Sequence, residues 1–117
     1  MGVTQIVSLK GASEKLEKSL RVFPTKKIVF LTQKEDLAHV LPIRNEMALR
    51  YSIPTEVRVV NTSAAEIYDV IAMYKDEDPL VHLLDNEFLN SFILSAAYLA
   101  GVTTYRSNGN GVEKLTD

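Results

Sequence analysis

The chain has no cysteine and no tryptophan, and its two histidines, His39 and His82, lie far apart in sequence. Without cysteine there is no disulfide framework and no thiolate metal site. Two separated histidines argue against a histidine-rich metal centre, so no metal and no cofactor are expected. Positive charge is not in excess: 13 Lys and Arg face 15 Asp and Glu, for a net charge of −2. The basic stripe of a duplex-DNA binder is therefore missing. The longest apolar stretch, residues 88–102, is broken by Asn90, Ser91 and Ser95. It is too short and too mixed for a membrane span. No basic leader or cleavage signature opens the chain. The expected compartment is the reducing cytoplasm.

Several catalytic signatures are also missing. There is no G-x-G-x-x-G cradle, no G-x-x-x-x-G-K-[ST] loop and no H-E-x-x-H pair. No G-x-S-x-G elbow offers a nucleophile.

What is present is material for one core. The 117 residues are 46% hydrophobic and 24% charged. That suits a single domain over 1–117, complete or as the sensor part of a longer protein. Residues 4–9 (TQIVSL) read as a strand, and Ser13 as the N-cap of a helix over 14–23 with Leu16, Leu20 and Phe23 on one face. Residues 27–32 (KIVFLT) suit a strand buried on both faces. A helical region over 35–51 follows, with a break expected at Pro42 and Met47, Leu49 and Ile53 carrying its apolar side. Residues 56–61 alternate as a strand with Arg58 outward. Ser63 and Glu66 have capping-box spacing for a helix to about residue 75. Residues 80–84 (LVHLL) form a buried-type strand, and an Ala- and Leu-rich helix then ends at Gly101. Residues 102–106 and 112–115 close the chain as a hairpin around a turn over 107–111.

Strands alternating with helices predict an α/β fold, a Rossmann-like three-layer sandwich. Its sheet is mostly parallel with a C-terminal β-hairpin. Ligands of such sheets bind beyond the carboxyl ends of the strands, at the switch point. The loops expected there supply the candidate ligand-binding residues Ser8, Leu9, Lys10, Gly11, Ser13, Thr32, Asp85, Asn86 and Asn90.

Each candidate has a structural reading beside the functional one. Lys10-Gly11-Ala12-Ser13 is either an anion-binding loop or a plain βα turn with a capping serine. Asn90 has an amide suited to a base or ribose. Asp85 and Glu87 equally serve as an N-cap and a first-turn acid matched to the helix dipole. His82, in mid-strand, reads as a core or interface histidine before a catalytic one. Asp76-Glu77-Asp78 reads as a solvated loop rather than a metal site.

The chain resembles a CARF domain, the CRISPR-associated Rossmann fold of CRISPR-linked transcriptional regulators and ribonucleases. The resemblance covers nearly the whole chain. It rests on the Ser8-Leu9-Lys10-Gly11 loop, on KIVFLT at 27–32, on VHLLDNEFLNSFILSAAYLAGV at 81–102 and on the closing hairpin with its NGNG turn. It implies a homodimer that senses a cyclic oligoadenylate or related nucleotide at a shared two-fold pocket. It also implies signalling to an effector, a winged-helix or nuclease domain, which this chain does not contain.

One departure stands out. The family often carries a Thr-Gly-Gly-type turn ending in lysine after strand four, and here the stretch is Asp85-Asn86-Glu87-Phe88-Leu89. The ligand then differs, or binds through the first loop, or has been lost. The alternatives are a ring nuclease working in the same pocket and a structural dimerisation domain with a degenerate pocket. No strong general base lies near Lys10 or Ser13, so binding ranks above cleavage. A receiver or nucleotide-binding stress protein lacks here its acidic cluster or glycine signature.

Overall fold

The computed structural model describes residues 2–11, 13–108 and 111–116. Strand β1 (Val3–Ser8) leads to helix α1 (Glu14–Val22) and strand β2 (Thr25–Thr32). A 3-10 turn (Lys34–Asp36) opens α2 (Leu37–Tyr51), followed by β3 (Thr55–Val59), α3 (Ala64–Ala72), β4 (Pro79–Leu83) and α4 (Glu87–Ala100). The chain closes with β5 (Thr104–Asn108) and β6 (Gly111–Lys114).

The six strands form one sheet in the order β3-β2-β1-β4-β5-β6. All pairings are parallel except the β5–β6 hairpin. Its turn residues Gly109 and Asn110 lie outside the described residues. The fold is thus the expected Rossmann-like α/β sandwich, with its switch point between β1 and β4.

Two apolar layers sandwich the sheet. On one face Val7, Ile28 and Phe30 pack with Leu16 of α1 and Val40 and Met47 of α2. On the other, Ile6, Val29, Leu31, Val81 and Leu83 pack with Ile67 and Ile71 of α3 and Leu89, Ile93 and Ala97 of α4. The centre of β2 is apolar at every position because both of its faces are covered.

Some local expectations are corrected. Pro42 does not break α2, which runs unbroken through it. Proline removes one helical N–H, and burial of Val40 and Met47 on the same face holds the helix together. Leu49 is 84% exposed while Met47 is buried. Two residues along a helix is about 200° of rotation, so these two cannot share a face. Arg58 keeps its side chain 40% exposed, as expected, while its Nε donates to the Tyr74 hydroxyl at 3.0 Å. Helix α3 stops at Ala72, and its last turn tightens through i→i−3 bonds such as Tyr74 N–H to Ile71 C=O at 3.0 Å.

Caps divide the same way. Ser63 accepts from the Glu66 N–H at 3.3 Å, while the Glu66 carboxylate accepts from the Asn61 N–H at 3.2 Å. At Gly101 the left-handed φ of 71° lets Val102 N–H reach Ala97 C=O at 3.0 Å, ending α4 and turning Val102 into the core. Ser13 stands at the N-cap of α1, but its side chain makes no capping bond. Its backbone is already helical (φ −98°, ψ −9°), so its oxygen is not presented to the first-turn amides, and it donates instead to Glu17 at 3.5 Å.

His82 is fully buried in mid-sheet and satisfied. Its Nδ1 is 3.2 Å from Gln5 Oε1 and its Nε2 is 2.6 Å from Ser107 Oγ. Gln5 Nε2 donates to Thr25 Oγ1 at 2.8 Å, which fixes Oε1 as the acceptor facing the ring. The network therefore selects one neutral tautomer, with Nδ1 protonated. Burial holds the imidazole pKa down at about 4, against 6.5 for the free side chain. The unfolded chain then binds this proton more readily than the folded one. Stability from this group is complete above pH 6.5 and falls as pH drops toward 4. The expected loss is about 3 kcal/mol at the acid end. Urea unfolding across that range checks it, with His82→Gln expected to flatten this part of the acid limb.

Candidate functional site

The switch point brings the ends of β1 and β4 side by side, with Ser8 paired to Leu83 in register. The next residue, Leu84, has left the ladder, so its backbone N–H and C=O need partners. Ser8 Oγ accepts from the Leu84 N–H at 3.0 Å. Asn90 Nδ2, one turn into α4, donates to the Leu84 C=O at 3.2 Å. The ring closes where the Ser8 hydroxyl donates to Asn90 Oδ1. Ser8 and Asn90 are both buried.

Asp85 follows directly, and it does not cap α4. The cap is Asn86, whose Oδ1 accepts from the Leu89 N–H at 3.2 Å. Asp85 turns toward the loop after β1 instead. Its carboxylate accepts from the backbone N–H of Lys10 at 2.8 Å and of Gly11 at 3.1 Å. Both donors sit in the loop between β1 and α1. A carboxylate satisfied by two amides of a neighbouring loop gains more there than at its own helix terminus, where an asparagine suffices. Asn86 keeps its Nδ2 buried without a hydrogen-bond partner.

The structure therefore gathers Ser8, Lys10, Gly11, Asp85, Asn86 and Asn90 at one corner of the sheet. Three other candidates go elsewhere. Leu9 is fully buried in the core beneath α1 and α2. Ser13 is engaged with Glu17, as above. Thr32, buried at the end of β2, donates to the Gln33 C=O at 3.3 Å and holds the Val60 N–H on its own carbonyl at 2.9 Å. Gly11 has open space around it, since a Cβ added there would meet nothing within 4 Å. Lys10 and Glu87 are exposed.

The backbone of Leu84 is the contributor that residue types did not reveal. The only signal was indirect: a serine ending β1 and an asparagine early in α4, both within apolar surroundings. Among the described residues no group of three or more His, Cys, Asp or Glu side chains can hold a metal ion. Asp76, Glu77 and Asp78 form no such group: Glu77 pairs with Lys27 at 3.1 Å and Asp78 with Lys26 at 3.4 Å. Nor, among the described residues, is any helix long and apolar enough to cross a membrane.

Fold and site together define a Rossmann-like α/β domain with a polar, hydrogen-bonded corner at its β1/β4 switch point. Comparison with known families finds no family model that matches this chain, and comparison with curated proteins finds no match either.

The Ser8–Leu84–Asn90 ring is expected to behave as one unit. Ser8→Ala leaves the buried Leu84 N–H and Asn90 Oδ1 without that partner, a cost of about 2 kcal/mol. In a double-mutant cycle with Asn90→Ala, measured by urea unfolding, a coupling of about 1 kcal/mol is expected, and strict additivity would count against a shared ring.

Proposed function

We propose that this chain is a regulatory ligand-sensing and dimerisation domain resembling CARF. In this reading it binds a cyclic oligoadenylate or related nucleotide at a two-fold interface and signals to an effector carried elsewhere. The observation that carries the reading is the β1/β4 corner itself. Backbone N–H groups at Lys10 and Gly11 and the polar side chains of Ser8, Asn86 and Asn90 converge at the point where open α/β sheets bind ligands.

The outer side of α4 supports the dimer. From Phe88 to Ala100 the helix has no charged residue. Phe88 is 65% exposed, Tyr98 73% and Leu99 69%. An uncharged helix that exposes three large apolar or aromatic side chains, interrupted only by Ser91 and Ser95, is suited to burial against a partner. Phe88, beside the switch point, meets Phe92 edge-on at 6.3 Å, so this stripe begins at the ligand end. A second copy packed along it would bring two switch points near each other.

Calorimetric titration with cyclic tetra-adenylate and cyclic hexa-adenylate tests the reading, with sedimentation on the same sample. One ligand per dimer is the expected result. Leu99→Glu is expected to shift the sample toward monomer and to abolish binding with it. A stable dimer that binds neither ring would instead support a structural dimerisation domain. A monomer without binding would overturn the proposal.

A further inference from the structure

Asp85 occupies an arrangement of donors that suits a different acceptor. Its two carboxylate oxygens are divided between two successive backbone N–H groups, Lys10 with Oδ1 and Gly11 with Oδ2. Adjacent backbone amides converging on one oxyanion are a common means of holding phosphate. Carboxylate and phosphate carry the same sign of charge and accept the same bonds, so both cannot occupy these donors together. Two further observations bear on this corner. The buried Asn86 Nδ2 is a donor without an acceptor. The Gly11 backbone has no neighbour within 4 Å of where a side chain would begin.

We infer that Asp85 is an autoinhibitory carboxylate, an internal competitor that holds the Lys10 and Gly11 amides against phosphate-bearing ligands until it is displaced. This deepens the switch-point reading above and rests on it for the nature of the natural ligand. The competition needs no large motion. Asp85 lies in the short connection between β4 and α4, and the neighbouring cap, Asn86, is anchored separately through Leu89. Turning the Asp85 carboxylate away would free the Lys10 and Gly11 amides. The exposed Lys10 ammonium then favours the incoming anion, while the displaced carboxylate and the exposed Glu87 oppose it. A ligand must therefore outcompete a tethered acid. This raises the concentration at which the domain responds without changing which groups read the ligand.

Amide NMR of Lys10 and Gly11 during titration with inorganic phosphate tests this on the wild-type chain, Asp85→Ala and Asp85→Asn. The alanine variant is expected to bind phosphate about tenfold more tightly than wild type, with the shifts centred on these two amides. The asparagine variant, which keeps one acceptor and loses the charge, is expected to fall between and decides the matter if alanine does not fold. Equal response in all three proteins, or shifts that bypass Lys10 and Gly11, would overturn the inference. Parallel titration with cyclic tetra-adenylate separates it from the broader reading. A phosphate response in the variants with no ring binding keeps the competitor and removes the cyclic nucleotide. Ring binding of equal strength in all three does the reverse.

Discussion

The architecture of the site depends on one small group of hydrogen bonds, those that satisfy Leu84. Where β4 leaves the sheet its backbone loses its ladder partners while still buried, and an unpaired buried amide is costly. Ser8 takes the N–H and Asn90 takes the C=O, from two different elements. β1, β4 and α4 are thereby fixed to one another at the point where the sheet reverses its direction of growth. Everything that follows Leu84 is aimed by this anchor. Asp85 emerges facing the first loop rather than its own helix, and Asn86 is left to cap α4.

The electrostatics of this corner invert the usual arrangement. Loops at the carboxyl ends of parallel strands generally present positive potential, from amides and helix N-termini, to a negative ligand. Here the protein supplies the negative partner itself. Away from this corner, charge is organised conventionally. Lys27 lies 2.7 Å from Glu56 and 3.1 Å from Glu77, and Tyr74 bonds both Glu56 and Arg58. Mutual hydrogen bonding holds Lys27 above and Glu56 below their ordinary pKa values. That cluster ties β2, β3 and the end of α3 together and leaves the switch point free of its influence.

Much of the fold was legible because burial writes itself into residue pattern. The apolar run in β2, the Ile67-Val70-Ile71 face of α3 with Tyr74 just beyond it, and the glycine closing α4 each follow from a local rule and a layer that covers them. The mostly parallel sheet followed from alternation and crossover handedness. The site was legible only as a list of loop residues. Side chains that bond across loops are set by tertiary register, which no spacing encodes. Thus Ser13 and Asp85 looked like helix caps, because their types and positions fit, yet one has a helical backbone and the other accepts from the amides of the first loop. His82 showed no partner in sequence because Gln5 and Ser107 reach it from neighbouring strands, 77 and 25 residues away. Pro42 was misleading for the opposite reason: a strong local rule was outweighed by packing.

The two open edges of the sheet bear on how copies of this domain can meet. At one end β3 carries Glu56 and Arg58, and at the other β6 is four residues long and carries Glu113 and Lys114. Charged, short border strands resist extension of a sheet by further strands. Any self-association is therefore disfavoured through continuous β-structure, the route toward fibres, which leaves the helical layer proposed above as the contact surface. There contact is made by side chains rather than backbone, and it can be remodelled without unzipping the sheet.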